Sequence, residues 1–310
     1  MAAADNQRAL EKVTTGDFTG AGSLKEEEFD DFFLEVQNTE ELLGTVRMMD
    51  VNAPTGDIPK LGVGERLLQA VNENSNVSLQ SVNSGSIGFA TTKVGLPYEL
   101  TRETVEDVID DPAGSIRDLF TQQFAVDTAD LAVNGDETAD DGTSPTAEDQ
   151  FYGINDGWLK IADDRGAPSY DHSSAAVDND LFHNMVSALD QKYKRQNNLV
   201  FMMSQAQKEN YKYSLVNRST SAGDDMLMTD GQPTPYGFDI VTPPNFPDDR
   251  AMLVNPDKLI YIVQRDMEVR STQDGSAVVL NDKFGIYNLL ARIDFQIEDE
   301  NAMVVADNIA

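Results

Sequence analysis

The chain has 310 residues, 40% of them hydrophobic, with 54 acidic against 23 basic residues and a formal net charge of −31. That apolar share excludes a fully disordered chain, and the absence of cysteine excludes disulfides, thiolate catalysis and cysteine-ligated metal centres. No run approaches the roughly 18–20 apolar residues of a membrane-spanning helix, and the clustered Lys and Arg of ordinary nucleic-acid binding are missing.

The acidic residues are spread along the chain rather than gathered in a tail, so like charges repel over the whole surface. In roughly molar salt the screening length falls to about 3 Å and that repulsion largely vanishes. A protein of a strongly saline habitat is therefore expected. Met1 to Arg8 is polar and lacks an apolar signal core, which leads us to expect a soluble protein made in the cytoplasm.

In chain order, Met1 to Gly22 is small and polar, an arm. Ser23-Leu24-Lys25-Glu26 fits a capping box. Phe29, Phe32, Phe33 and Val36 follow at helical spacing as one apolar stripe that a short helix cannot bury alone. Thr45 to Leu100 reads as extended: Val46, Met48 and Asp50 alternate with their neighbours, Val77 and Leu79 begin a short strand, and Val94, Leu96, Tyr98 and Leu100 alternate as in a half-buried strand. Pro54-Thr55-Gly56-Asp57 reads as a turn, and turns interleaved with weak strands suggest a long projecting β-hairpin.

Asp110-Asp111-Pro112 opens the clearest helix, of about 22 residues and about 33 Å. Its stripe is Ile116, Leu119, Phe120, Phe124 and Leu131, and Gly135 is expected as a left-handed cap. Asp136 to Gln150 reads as an acidic loop. Asp178 caps a second long helix carrying Leu181, Met185, Leu189 and Tyr193. The densest basic stretch, Gln191 to Arg195, lies at that helix's end, where cations suit the dipole. Leu199 to Met203 reads as a strand, and Ser204 caps a third helix. The remainder is β-rich: Phe238–Val241, Leu259–Val263, Val278–Leu280, Tyr287–Ile297 and Met303–Val305. In the longest, Tyr287, Leu289, Ala291, Ile293, Phe295 and Ile297 share one face, and Asn288, Arg292, Asp294 and Gln296 share the other, polar one.

The search for chemistry returns no active site. His172, in a polar loop beside Asp171, and His183, on the second helix, have no His or Cys partner at metal spacing. Gly62-Val63-Gly64 lacks the third glycine of a dinucleotide loop. Asp136, Glu137, Asp140 and Asp141 do not match a calcium loop and read as a solvated acidic loop. The sequons at Asn76 and Asn217 are treated as unused. No enzyme activity, cofactor or metal is expected.

The order of parts is informative. The long helix closes in Leu131-Ala132-Val133-Asn134-Gly135-Asp136, and Phe151-Tyr152-Gly153-Ile154-Asn155 follows. Later come Tyr236-Gly237-Phe238-Asp239-Ile240-Val241 before Pro243-Pro244, then Asp266-Met267-Glu268-Val269, then Ile286 to Phe295 with Arg292-Ile293-Asp294. In this series, from about Gly44 to Ile309, the chain resembles the major capsid proteins of tailed viruses, of the Hong Kong 97-type α+β capsid fold. The resemblance implies an N-terminal arm (1–43), an extended loop (44–100), a peripheral domain with the long spine helix (101–150 and 256–298) and an axial domain (151–255 and 299–310). It implies self-assembly into pentamers and hexamers, an icosahedral shell enclosing double-stranded DNA without sequence-specific contacts, and a virion location after assembly in the host cytoplasm. The implied partners are further copies, a portal, a scaffold and minor decoration proteins, with no membrane. Combined with the charge, it points to a haloarchaeal tailed virus. Phe29, Phe32, Phe33, Val36, Val77 and Leu79 are the candidate intersubunit contacts. Some relatives crosslink through a lysine of the extended loop. Leu68 to Gln80 contains none, and the nearest is Lys60, so covalent crosslinking is not expected. Only about forty residues precede the fold, so scaffolding is expected from a separate protein. Two other readings stand beside this one: an encapsulin-type compartment of the same fold, and a halophilic enzyme with a carboxylate site.

Overall fold

A computed structural model describes residues 22–23, 41–62, 83–101, 112–139, 142, 146–194, 198–216, 233–272 and 283–310. The first sheet is built on two long antiparallel strands, β10 (Leu259–Thr272) and β11 (Lys283–Ile297). β5 (Thr92–Thr101) pairs antiparallel with β11, with Tyr98 opposite Tyr287. The far edge of β10 carries β1 (Gly22–Ser23), antiparallel, and β2 (Arg47–Val51), parallel. The expected helix carrying Phe29, Phe32, Phe33 and Val36 lies outside the described residues, as do Val77, Leu79 and Val278–Leu280.

Leu259 to Val263 is an unbroken apolar run because both faces of β10 are covered. Leu259, Tyr261 and Val263 face the main core with Ile293, Phe295 and Ile297 of β11. Ile260 and Ile262 point the other way, into a small cluster with Ile58 and Ile87. Those two come from a separate antiparallel hairpin of β3 (Thr55–Gly62) and β4 (Asn83–Ala90). The stretch from Thr55 to Asp57 is thus strand, not turn, because Asp57 and Gly56 pair with Gly88 and Phe89. Ahead of β2, α1 (Glu41–Thr45) replaces the expected extended start at Thr45 and buries Leu42 and Leu43 completely.

The long helix α2 (Pro112–Asn134) starts and ends where the sequence placed it. Its second half is buried on more than one stripe: Phe124, Ala125, Thr128, Ala129, Asp130, Leu131, Ala132 and Val133 are all inside. The acidic segment after it is shorter than expected. Thr146 and Asp149 form a capping box that starts α3 (Ala147–Tyr152). Then α4 (Trp158–Arg165), which periodicity had not marked, buries Trp158, Leu159, Ile161 and Ala162 and closes on a left-handed Gly166.

The second sheet has the order β6 (Ser169–Ala175), β12 (Met303–Ile309), β9 (Ala251–Val254), β7 (Val200–Met203), β8 (Asp239–Val241). Alternation splits its side chains between two layers. Met202, Met252, Val254, Met303 and Val305 join Trp158 and the first sheet in one core. Phe201, Met203, Leu253, Val304 and Ala306 face α5 (Asn179–Ala188) and α6 (Gln205–Val216). Asp178 caps α5 through the amides of Asp180 and Leu181, and Ser204 accepts from the Gln207 amide at the start of α6. α5 ends at Ala188, earlier than expected; Leu189 and Tyr193 lie beyond it yet remain buried. Lys194 then donates its Nζ to the Ser187 carbonyl of the last turn, the cation–helix-end pairing expected of this basic stretch.

Candidate assembly interface and its structural junction

The junction that orients the parts is built from the stretch 130–157. Gly135 accepts a bond from Gly157 N–H at 2.8 Å, and the Asp136 amide donates to the Tyr152 carbonyl at 2.9 Å. A Cβ on Gly135 would stand 2.1 Å from the Asn155 carbonyl oxygen. The glycine is therefore required by close backbone approach, and it does not take the left-handed backbone expected from sequence. Asn155, 1% exposed, donates to the Ile293 carbonyl at 2.7 Å and so ties this turn to β11.

One turn earlier on α2, the buried Asp130 collects three groups. Asn134 Nδ2 donates to it at 2.7 Å, Asn245 Nδ2 at 2.7 Å and Tyr152 Oη at 3.3 Å. Asn134 also donates to the Asn245 carbonyl. Asn245 has φ of 51°, a left-handed turn after Pro243-Pro244 that asparagine tolerates better than most residues. A carboxylate among neutral donors thus fastens the long helix to the loop between β8 and β9. Burial and the Asp130 charge together push the Tyr152 hydroxyl up to about 12.

The β3–β4 hairpin is fastened at its base. Ile58 and Ile87 sit on Ile260 and Ile262. The Ala90 amide donates to Asp294 Oδ2 at 2.9 Å, Thr91 N–H donates to the Pro54 carbonyl, and Lys60 pairs with Asp299 and Glu300. Asp294 belongs to the face of β11 expected to be polar, yet it is 6% exposed because β4 covers it. Burial pushes its carboxyl up, against the bonds from Ala90, Gln296 and Phe295 that favour the charge. Beside it an open cleft of about 410 Å³ is lined by Phe89, Glu137, Asp156, Asp164 and Arg165, among others. Arg165 is committed to the Ile297 carbonyl and Gln296.

None of this resembles catalytic machinery. His172 lies in strand β6, not a loop; it is buried and pairs with the Ala176 carbonyl at 3.0 Å. His183 on α5 pairs with Tyr236 Oη at 2.9 Å. Asp136 accepts from the amide and hydroxyl of Thr138, and the hydroxyl is the larger cause of its lowered pKa. Asp140 and Asp141 lie outside the described residues. Among the described residues, no group of three or more His, Cys, Asp or Glu is placed to hold a metal, and no helix is long and apolar enough to cross a membrane. All six candidate contacts (Phe29, Phe32, Phe33, Val36, Val77 and Leu79) lie outside the described residues. What periodicity missed is the Gly135–Gly157 contact and Asp130. The Asn-Gly-Asp run and the recurrence of Asn and Gly twenty residues later were the available signals.

Comparison with known proteins agrees with this architecture. Residues 2–309 match the family model described as phage major capsid protein, P2 family. A relative described as putative prophage capsid protein YqbE, from Bacillus subtilis strain 168, is 29% identical over 143 residues. That match spans 44% of this chain and 46% of the relative, about half of its length. Among solved structures, the satellite phage P4 procapsid including size determination protein aligns with a TM-score of 0.66 at 14% identity, covering 90% of this chain and 99% of that one. A structure from Mycobacterium phage Cain gives 0.55 at 12% identity, with 100% and 98% covered. A virus-like particle from Pyrococcus furiosus gives 0.53 at 10% identity, with 91% and 98% covered. These likenesses carry the fold: the mixed α+β, Hong Kong 97-like capsid fold expected from sequence.

Proposed function

The chain belongs to the P2 family of phage major capsid proteins, and from that premise we propose that copies of it form the pentamers and hexamers of an icosahedral head enclosing double-stranded DNA, in a tailed virus of haloarchaea. It is a structural capsid protein and not an enzyme. The family match over almost the whole chain is the observation that carries this reading.

The two sheets follow the proposed division in part, since β1, β2 and β5, counted with the arm and the extended loop, complete the first sheet. β10, β11 and α2 belong to the peripheral part (101–150 and 256–298), and β6, β7, β8, β9 and β12 to the axial part (151–255 and 299–310). α4, counted with the axial part, packs on α2 and β11 and bridges the two. β1, β2, β5 and the β3–β4 hairpin lie on this chain's own first sheet, so it is the remaining parts of the arm (1–43) and the extended loop (44–100) that reach over neighbouring copies, with Phe29, Phe32, Phe33, Val36, Val77 and Leu79 as contacts; the support for this is their apolar character in sequence. Weak contacts repeated over many copies suffice for a stable shell. The net charge of −31 supports a saline host, because screening by salt permits such copies to approach. A portal, a scaffold and decoration proteins are its further partners, and the head assembles in the host cytoplasm.

The test is electron microscopy of the full chain in concentrated salt. Wild type is expected to form closed shells, and a Phe29→Ala, Phe32→Ala, Phe33→Ala triple variant to fold without closing them. Wild type that remains a small oligomer rejects the reading. Protein cargo in place of a genome in native particles assigns them to a compartment instead.

A further inference from the structure

The sequence holds a single Asn-Gly pair, Asn134-Gly135, and it falls where α2 ends. Such a pair deamidates readily in a free chain, because a glycine without Cβ leaves its amide nitrogen open to close on the asparagine side chain. Gly135 N attacks Asn134 Cγ, and the new C–N bond completes a five-membered succinimide. The Cγ–Nδ2 bond breaks, and the side-chain nitrogen departs as ammonia with the proton from Gly135. Water then opens the ring at either carbonyl, giving aspartate or isoaspartate at 134.

Native packing holds both reacting groups. Gly135 N–H donates to the Leu131 carbonyl at 2.9 Å. The Asn134 amide, with two hydrogens to give, donates to Asp130 Oδ1 at 2.7 Å and to the Asn245 carbonyl at 2.8 Å. Ring closure needs the backbone at Asn134 to leave its helical angles. Gly135, where an added Cβ would stand 2.1 Å from the Asn155 carbonyl oxygen, has no room to follow.

The product reverses the chemistry of this corner. A carboxylate at 134 faces two acceptors in place of two bonds, the buried Asp130 carboxylate and the Asn245 carbonyl. The first of these is a like charge at hydrogen-bond distance, and both acceptors lose a donor. Isoaspartate also adds a carbon to the main chain just where Gly135 and Gly157 meet backbone to backbone.

We propose that Asn134-Gly135 is a spontaneous deamidation site that the folded chain holds closed, and that its conversion in an unfolded chain prevents the Asp130 junction from being rebuilt.

The experiment holds the full chain at mildly alkaline pH, folded in molar salt or unfolded in guanidinium chloride, and reads residue 134 by peptide mass spectrometry. Conversion in the folded chain is expected to be slower by at least about a hundredfold, since reaction waits on local opening of the helix end. Equal rates, or no conversion in the unfolded chain, overturn the inference. The aged unfolded chain is then returned to molar salt. Molecules that fail to refold are expected to be enriched in aspartate and isoaspartate at 134, relative to conversion at the other asparagines; equal content in refolded and unrefolded fractions overturns it. Asn134→Asp, the product made directly, is expected to melt below wild type or not to fold, and a variant melting with wild type overturns it as well.

Discussion

Gly157 donates its amide to the Gly135 carbonyl at 2.8 Å, and a Cβ on Gly157 would lie 2.6 Å from the Gly135 nitrogen. The end of the long helix and the start of α4 therefore meet backbone to backbone, with no room for a side chain on either. Gly157→Ala is expected to destabilise the fold by about 3 kcal/mol, the upper range for overpacking. Gly85→Ala, whose Cβ would meet only Lys60 Cβ at 3.8 Å, is expected to stay within about 0.5 kcal/mol. Urea unfolding of both in molar salt checks the contrast.

The hairpin's hold on the body rests on a small apolar cluster, so it is locally removable. Ile87, 8% exposed, packs with Ile58 on Ile260 and Ile262. Ile87→Ala is expected to cost about 2 kcal/mol, felt at the hairpin first. Hydrogen exchange should speed up at β3 and β4 while the amides of β9 and β12 keep their protection. Uniform acceleration across the second sheet would contradict this.

Asp130 and Tyr152 are coupled, and the coupling has a sign. The tyrosine's folded pKa, about 12, lies above its ordinary 10.0. The stability it contributes is complete below 10 and is lost as pH rises through about 12. Asp130→Asn removes the charge but leaves the burial. Spectrophotometric titration is then expected to show Tyr152 ionising lower than in wild type yet still above 10. Replacing the charged acceptor of Asn134 and Asn245 is expected to cost about 2 kcal/mol at neutral pH.

Two carboxylates respond to acid in opposite directions. Burial raises Asp294 above 3.8, so its contribution is complete below that value and is lost as pH rises through the folded pKa. Asp149 is lowered by the amide and hydroxyl of Thr146, so its contribution is present above 3.8 and is lost as pH falls through the folded pKa. Carboxyl NMR titration of the folded chain should place the Asp294 midpoint above, and the Asp149 midpoint below, the model-peptide value. The reverse order would refute the assignment of Asp294 to a covered site.

With a net charge of −31, the melting temperature of the chain is expected to climb steeply as salt rises toward molar concentration. Circular dichroism across a salt series checks this. A flat response would separate the acidic composition from any dependence on saline surroundings.

The features legible in the sequence were those that depend on near neighbours along the chain. Pro112 and Asn134-Gly135 bracket the long helix because a missing amide suits its first turn and an Asn-Gly pair suits a helix end. Asp178 and Ser204 cap helices through amides two or three residues away. Alternation in 291–297 marks a strand with one apolar face. Distant partners decided the rest. β9 is four apolar residues that become a central strand once β7 and β12 flank it. Asp294 reads as solvent-facing by alternation, but a hairpin two hundred residues earlier in the chain covers it. Gly135 looks like a left-handed cap until Asn155 and Gly157 arrive against it. Local patterns record which side chains avoid water, whereas which backbone lies against which is set by packing across the whole chain.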